Sequence, residues 1–238
     1  MMIRSWDKLP PLLKTDEVRP YYDILKKKYW SLLLKRGGDI LFSLLLIVLL
    51  ALPMLIVAVA VKIDSRGPVL FRQVRVTQYG KTFRICKFRT MVVGAEGQGT
   101  QVTTDKDTRI TRVGRFLRKY RIDEIPQLFH ILSGNMTFVG TRPEVEGFVD
   151  RYTPEMYATL LLPAGLTSKA SLYFADEGSI LADKDDIENA YITYLLPMKM
   201  KHNLSAIAHF SLGQDMGVLC MTVGVLFGKT YKDKEADA

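Results

Sequence analysis

Residues 40–61 read ILFSLLLIVLLALPMLIVAVAV, 22 positions without a charged side chain. A helix of that length is enough to cross a bilayer. A run this apolar has to leave water, for lipid or for a protein core, so the rest of the fold must be arranged around it. It starts too late for an ordinary signal peptide, and no small-residue cleavage site with a polar mature start follows it. Pro53 sits inside it. Proline deletes a backbone donor and crowds the preceding turn, so a kink is expected there. Lys26, Lys27, Lys28, Lys35 and Arg36 precede the run, and Lys62, Arg66, Arg72 and Arg75 follow it. With both flanks basic, charge asymmetry gives a single span no orientation. Two topologies fit: a straight span with a tolerated kink, or a kinked helix that returns both flanks to one face.

The chain has 238 residues and a formal net charge of +8, with 33 Lys plus Arg against 25 Asp plus Glu. That balance favours anionic partners: nucleic acid, anionic lipid or phosphorylated substrates. Cys86 and Cys220 lie far apart and make no disulfide framework, so a reducing, cytosolic environment is expected. No Cys/His spacing suggests zinc. Residues 1–36 have no obvious fold of their own; Tyr21, Tyr22, Tyr29 and Trp30 among lysines suit a segment at lipid-headgroup level. The tail 229–238 reads as disordered.

After the apolar run, Val69, Phe71, Val74 and Val76, then Phe83, Ile85 and Phe88, predict two short strands with Tyr79 and Gly80 at the turn. Residues 94–108 are polar and glycine-rich, a mobile loop. Two helices follow. Val113, Phe116, Leu117 and Tyr120 form an amphipathic stripe in the first, and Ile125, Leu128, Phe129 and Leu132 in the second, which Gly134 ends. Pro126 is harmless in a first turn, and Asp123 is a natural N-cap. Further on, a Pro–Gly pair near 163–165 suggests a turn into a strand. A helix is expected up to Pro197. The 12 apolar residues 216–227 are too short to span.

The adjacent carboxylates Asp123 and Glu124 stand among Arg115, Arg118, Lys119 and Arg121. One reading is structural: an N-cap and a dipole-favoured acid. The other is chemical. A carboxylate flanked by arginines can attack a phosphoryl centre, and its neighbour can hold Mg²⁺. Attack by an anion on a polyanion needs cations to neutralise the developing charge. The arginines then serve as more than partners for the acids. Lys87 and Arg89 in KFRTM, and Arg142 ahead of Pro143 in a locally rigid loop, are further phosphate-gripping candidates. The alternatives are outward strand charges and a plain turn.

These pieces together resemble the bacterial sugar transferases, the monotopic phosphoglycosyl transferases. The matching segments are KRGGD, SRGPVLFRQVRV, GKTFRICKFRTM, DTRITRVGRFLRKYRIDEIPQL and LSGNMTFVGTRPE, in the family's order and spacing. The match is strong over residues 35–145 and weaker to about 227. The resemblance implies transfer of a sugar-1-phosphate from a UDP-sugar to a polyprenyl phosphate, usually undecaprenyl phosphate, with release of UMP. That reaction opens the assembly of exopolysaccharide, capsule, O-antigen or related glycans. It implies Asp123 as nucleophile, Glu124 as a Mg²⁺ ligand, and Lys87, Arg89, Arg118 and Arg142 as phosphate- or nucleotide-binding residues. It also implies a re-entrant membrane helix broken at Pro53, which favours the second topology, and a place in the small, minimal class. The expected fold is α+β, with an interfacial segment 1–36, a re-entrant helix 37–63 and a mostly helical domain 64–228 carrying a small β-hairpin. That domain would lie on the cytosolic face of the bacterial inner membrane, against anionic lipids. The chain departs from the family pattern at Leu52, Thr77, Thr108, His130 and Thr141. None touches the acid pair; they bear on loop shape and sugar preference.

Two rival classes remain at this stage. A membrane-anchored scaffold without activity would keep the fold and release no UMP. A basic nucleic-acid-binding domain would bind DNA in a salt-dependent way without lipid, but no such module is recognisable and no nucleic-acid partner is expected. A single-displacement transferase would use the same residues without a covalent adduct.

Overall fold

The structure, a computed structural model, describes residues 3–95, 107–175, 177–181 and 186–233. The chain is α+β; among the described residues it has many helices, one antiparallel hairpin and one short parallel strand pair. Helix α1 spans Arg19–Lys27, and α2 spans Tyr29–Leu49. Helix α3, Ala51–Asp64, continues α2 after a 61° bend at Leu50. The break lies one turn ahead of Pro53. Proline has no N–H for the carbonyl four residues back, at Leu49, and its ring presses on that turn. The expected kink is present, displaced from the proline to the turn it disrupts.

No single described helix is long and apolar enough to cross a membrane, but the bent pair passes that test jointly. Its outer surface is apolar and open: Leu41, Leu45, Val48, Leu49, Leu52, Leu55, Ile56 and Ile63 are all exposed. Such a surface suits hydrocarbon and not water. Both legs are tied to the same body. At the first base, Lys35 donates to Asp215 (2.6 Å) and to the Val139 carbonyl (2.9 Å). Arg36 donates to the carbonyls of Ile131 and Leu132 at 2.6 and 2.8 Å. Asp39 accepts from Thr137 Oγ1 (2.7 Å) and the Phe138 amide (3.2 Å). At the second base, Asp64 accepts from the Val113 amide (2.9 Å), and Val61 packs with Phe88 and Leu117. Residues 40–49, beyond the first ties, and the whole of Ala51–Asp64 are about 15 and 21 Å long, less than the ~30 Å of a bilayer core. Two short legs rooted in one body are consistent with a re-entrant anchor.

Strands β1, Leu70–Val76, and β2, Thr82–Phe88, pair antiparallel with Leu70 opposite Phe88 and Val76 opposite Thr82. Tyr79 (φ 63°) and Gly80 (φ 73°) make the turn. Helix α4 covers Arg112–Lys119; a 3₁₀ segment, Ile122–Gln127, leads into α5, Leu128–Ser133, which Gly134 closes in the left-handed region. Strand β3, Met136–Val139, pairs parallel with β4, Ala164–Thr167. A Cβ on Gly165 would lie 2.0 Å from the Gly140 carbonyl oxygen, so only glycine lets these two chain segments cross. Helix α6 spans Glu146–Val149, α7 Lys169–Tyr173, α8 Glu177–Leu181 and α9 Ile187–Ala190. A π-turn, Tyr191–Leu195, joins α9 to α10, Leu196–Ala208, and α11 spans Leu212–Leu226.

Several expectations change. Leu9, Leu13, Val18, Tyr22 and Leu25 enter the main core with Phe148, Leu161, Leu196 and Met200, so the described part of the N-terminal segment packs against the body. Of the four aromatics read as interfacial, Trp30 and Tyr29 are exposed while Tyr22 is buried. The stripe on α4 divides: Leu117 is buried, whereas Phe116 and Tyr120 face outward. In α5 the most deeply buried residue is Ile131, and Phe129 is exposed. Val74 is also exposed. The helix expected to stop at Pro197 runs on, because Pro197 occupies the first turn of α10, where no intrahelical donor is required. The loop 94–108 lies mainly outside the described residues, as do residues 234–238 of the tail.

Candidate active site

The acid pair is placed by a left-handed residue. Arg121 has φ 56° and ψ 21°, a conformation uncommon outside glycine. It turns the chain sharply out of α4, and the 3₁₀ segment brings Asp123 and Glu124 beneath strand β2. Asp123 is not an N-cap. It lies inside the 3₁₀ segment, its side chain makes no cap hydrogen bond, and α5 starts five residues later. Both acids are buried, each 8% exposed.

Two cations close on Glu124. Lys87, from β2, donates to Oε1 at 2.7 Å. Arg142, from the loop after β3, donates to both oxygens, Nη2 to Oε1 and Nη1 to Oε2 at 3.4 Å. Burial alone would raise the Glu124 pKa, but Arg142 and Lys87 outweigh it and hold the carboxyl well below its usual range. In turn, Glu124 holds the Arg142 guanidinium firmly charged. Burial lowers the Lys87 pKa, and Glu124 opposes that shift.

Asp123 is treated differently. Its carboxylate accepts no hydrogen bond from the described residues. Burial and the neighbouring Glu124 charge raise its pKa, opposed by Lys87, Arg118 and Arg142. Arg118, from α4, is fixed by an Nε hydrogen bond to Thr90 Oγ1 at 2.8 Å. Gly114 makes that approach possible, since a Cβ there would meet the Thr90 carbonyl oxygen at 2.1 Å. The two carboxylates therefore differ: one saturated and locked as an anion, one poorly solvated and free, with cations on its flanks.

The structure thus brings together Lys87, Arg118, Asp123, Glu124 and Arg142. It does not bring Arg89 to the pair. The buried Arg89 guanidinium turns to the end of α3, where Nη2 donates to the Ser65 carbonyl (2.7 Å) and Ser65 Oγ (2.8 Å). It passes so close to Gly67 that a Cβ there would sit 2.2 Å from Nη1. Pro53 lies in the anchor. No cluster of three or more metal-type side chains occurs among the described residues. The donor chemistry still suits a hard cation: two adjacent carboxylates, one with free oxygens, and no nitrogen or sulfur ligand. Mg²⁺ commonly needs only one or two carboxylates beside substrate phosphates.

One neighbouring group escaped the sequence reading. Glu144, two residues past Arg142, is buried and accepts from Tyr191 Oη (2.7 Å) and Lys199 Nζ (3.1 Å). Glu144 belongs to the quoted TRPE segment and Lys199 to YLLPMKM in the weaker part of the resemblance, but nothing local pairs Tyr191 or Lys199 with a glutamate some fifty residues back.

A bent apolar helix pair rooted in a body that carries a buried acid pair among fixed cations defines a class: an α+β protein with an apolar anchor and a cation-lined acid site. A model of the bacterial sugar transferase family matches residues 30–229, and the chain belongs to that family. It is 39% identical over 194 residues to a UDP-N-acetylgalactosamine-undecaprenyl-phosphate N-acetylgalactosaminephosphotransferase of Aeromonas hydrophila, covering 80% of this chain and 43% of that protein. It is 31% identical over 194 residues to the UDP-glucose:undecaprenyl-phosphate glucose-1-phosphate transferase of Escherichia coli, covering 80% and 39%. A Caulobacter vibrioides protein of the same description is 35% identical over 192 residues, covering 79% and 68%. The chain spans less than half the length of the first two relatives.

Proposed function

We propose that the chain transfers a sugar-1-phosphate from a UDP-sugar to undecaprenyl phosphate, releasing UMP, at the cytosolic face of the bacterial inner membrane. The observation that carries this reading is the contrast within the acid pair. Glu124 is neutralised by Lys87 and Arg142, which leaves Asp123 as a free carboxylate in a cationic pocket. A carboxylate raised in pKa by burial is a stronger nucleophile once ionised, and Arg118 beside it offsets charge as it attacks.

An Asp123 oxygen attacks the β-phosphorus of the UDP-sugar. The bond from that phosphorus to the oxygen bridging the two phosphates breaks, and UMP leaves with the bridging oxygen. A phosphate oxygen of the polyprenyl phosphate then attacks the aspartyl-bound phosphorus, returning the free Asp123 carboxylate and giving a polyprenyl diphosphosugar. Lys87, Arg118 and Arg142 hold and neutralise the phosphates in both steps. Glu124 would hold Mg²⁺ once Lys87 and Arg142, which now occupy its oxygens, turn to the substrate phosphates, and the ion would supply charge neutralisation on the diphosphate. A shallow anchor serves this chemistry, because one substrate arrives from water and the other from lipid. The basic flanks at its base concentrate anionic headgroups.

The test compares wild type and Asp123→Asn in nanodiscs with Mg²⁺, undecaprenyl phosphate and a panel of UDP-sugars including UDP-glucose and UDP-N-acetylgalactosamine. Wild type is expected to release UMP with one of them, and the variant none. Without the lipid acceptor, wild type should gain the mass of one phosphosugar, which the variant cannot. Equal turnover by both proteins refutes the nucleophile. Turnover without any adduct refutes the two-step path and favours single displacement.

A further inference from the structure

Arg142 reaches the acid pair from the loop between β3 and α6, and contacts other than its own hold that loop in place. Three anchors hold it. The Glu144 carbonyl accepts from the Val76 amide (2.9 Å), the Pro143 carbonyl from Arg75 Nη1 (3.1 Å), and the Gly165 amide donates to the Thr141 carbonyl (2.7 Å). The Glu144 side chain is held from the other direction. Tyr191 Oη and Lys199 Nζ both donate to its Oε1, Lys199 Nζ also donates to Tyr191 Oη (2.6 Å), and Arg75 approaches Oε2 at 4.0 Å. Lys199 spends its third donor on Glu177 (2.9 Å). Every donor of this deeply buried ammonium is therefore used within one closed network.

The helix carrying Tyr191 and Lys199 is distorted in the way this network requires. Eight steps of a regular α-helix turn about 800°, which would leave Lys199 about 80° around the axis from Tyr191. The wider π-turn at Tyr191–Leu195 takes up that excess, and the two side chains meet on one face. Such π-turns are rare, interrupt otherwise regular helices and concentrate at functional sites. Phe148 stacks on the Tyr191 ring at 4.6 Å and fixes its plane.

We infer that Lys199 and Tyr191 are positioning residues for Arg142, acting through Glu144. The C-terminal helical unit, brought into register by its π-turn, sets where the phosphate-binding guanidinium points. This inference rests on the reading of Arg142 as a phosphate ligand. Neither residue touches the acid pair itself.

The experiment measures UMP release in nanodiscs for wild type, Tyr191→Phe, Arg142→Lys and the double variant, with the UDP-sugar concentration varied. Tyr191→Phe removes one hydroxyl and keeps the ring packing. Lys199→Met, which leaves the Glu144 charge without its ammonium, serves as a second variant if it folds. Tyr191→Phe is expected to raise KM for the UDP-sugar roughly tenfold, the scale of one hydrogen bond to a charged group. In the Arg142→Lys background the same change should have little further effect, because the residue being positioned is gone. Tyr191→Phe constants within twofold of wild type overturn the inference, and so do losses that simply multiply in the double variant. If wild type turns over and Arg142→Lys is indistinguishable from it, the phosphate-ligand reading fails and takes this inference with it. If Arg142→Lys is impaired and Tyr191→Phe is not, only the inference fails.

Discussion

The two buried acids should respond in opposite ways to being neutralised. Glu124→Gln keeps the shape of the side chain but removes the charge that Lys87 and Arg142 share. Two half-buried cations then face each other, with Asp123 the carboxylate left beside them. Removing one partner from a buried ion pair costs about 3–5 kcal/mol. For a chain of this size each kcal/mol moves Tm by about 2–4 °C, so a fall of roughly 6–20 °C is expected. Asp123→Asn removes a carboxylate that accepts no hydrogen bond from the described residues and whose ionisation is opposed by burial. Its folded pKa is raised, so its proton stabilises the fold at low pH and that contribution is lost as pH rises through the folded value. At neutral pH the substitution therefore removes a penalty, and Tm should hold or rise slightly. Glu124 has the opposite sign: its stabilisation is present at neutral pH, fades as pH falls below the unfolded value of 4.5, and is gone at the folded value. Thermal unfolding of the three proteins in one detergent, at pH 7 and at steps down to about pH 4, followed by tryptophan fluorescence, measures all of this. A Glu124→Gln protein as stable as Asp123→Asn would refute the assignment of Glu124 as the counter-ion.

Other outcomes follow from the same geometry. Arg118→Met should lower kcat by about 10²-fold, the scale of losing one preorganised cationic or hydrogen-bond donor; its Tm should move little, since among the described residues its side chain hydrogen-bonds only to Thr90. The acid limb of the kcat/KM profile for UMP release should lie above the ordinary aspartate value of 3.8, because burial raises Asp123; a limb at or below that value refutes Asp123 as the titrating nucleophile. Gly165→Ala drives a methyl to 2.0 Å from the Gly140 oxygen and should cost about 3 kcal/mol or more, read by thermal unfolding. Single cysteines placed at Lys26 and Arg66, with Cys86 and Cys220 replaced by serine, should react with an impermeant thiol reagent from the same face of sealed vesicles. Labelling from opposite faces means the bent pair spans the bilayer.

Local chemistry was enough to locate much of this protein. The apolar run, its proline, the hairpin around Tyr79 and Gly80, and the acid pair among arginines depend on near neighbours or on short-range periodicity. Backbone and solvation physics act on those directly. Lys87, Arg118 and Arg142 were marked in the same way, as cations in short recognisable segments. KRGGD was visible as a motif, but its use was not. Lys35, Arg36 and Asp39 tie the anchor to β3, α5 and α11, and each partner is about a hundred residues or more away.

What the sequence determined by itself is therefore the inventory: an apolar bent anchor, a basic body, a carboxylate pair and the cations able to surround it. The tertiary structure decided which cation goes where. Arg89 and Lys87 are two residues apart on one segment, yet Lys87 meets Glu124 while Arg89 turns to the end of α3. The same holds for the acids. As neighbours in the chain they are nearly alike, and only the arrival of Arg142 and Lys87 from other elements saturates Glu124 and leaves Asp123 free. Ionisation and nucleophilicity are set by burial and by charges within a few ångströms, and those distances exist only once distant segments have packed together.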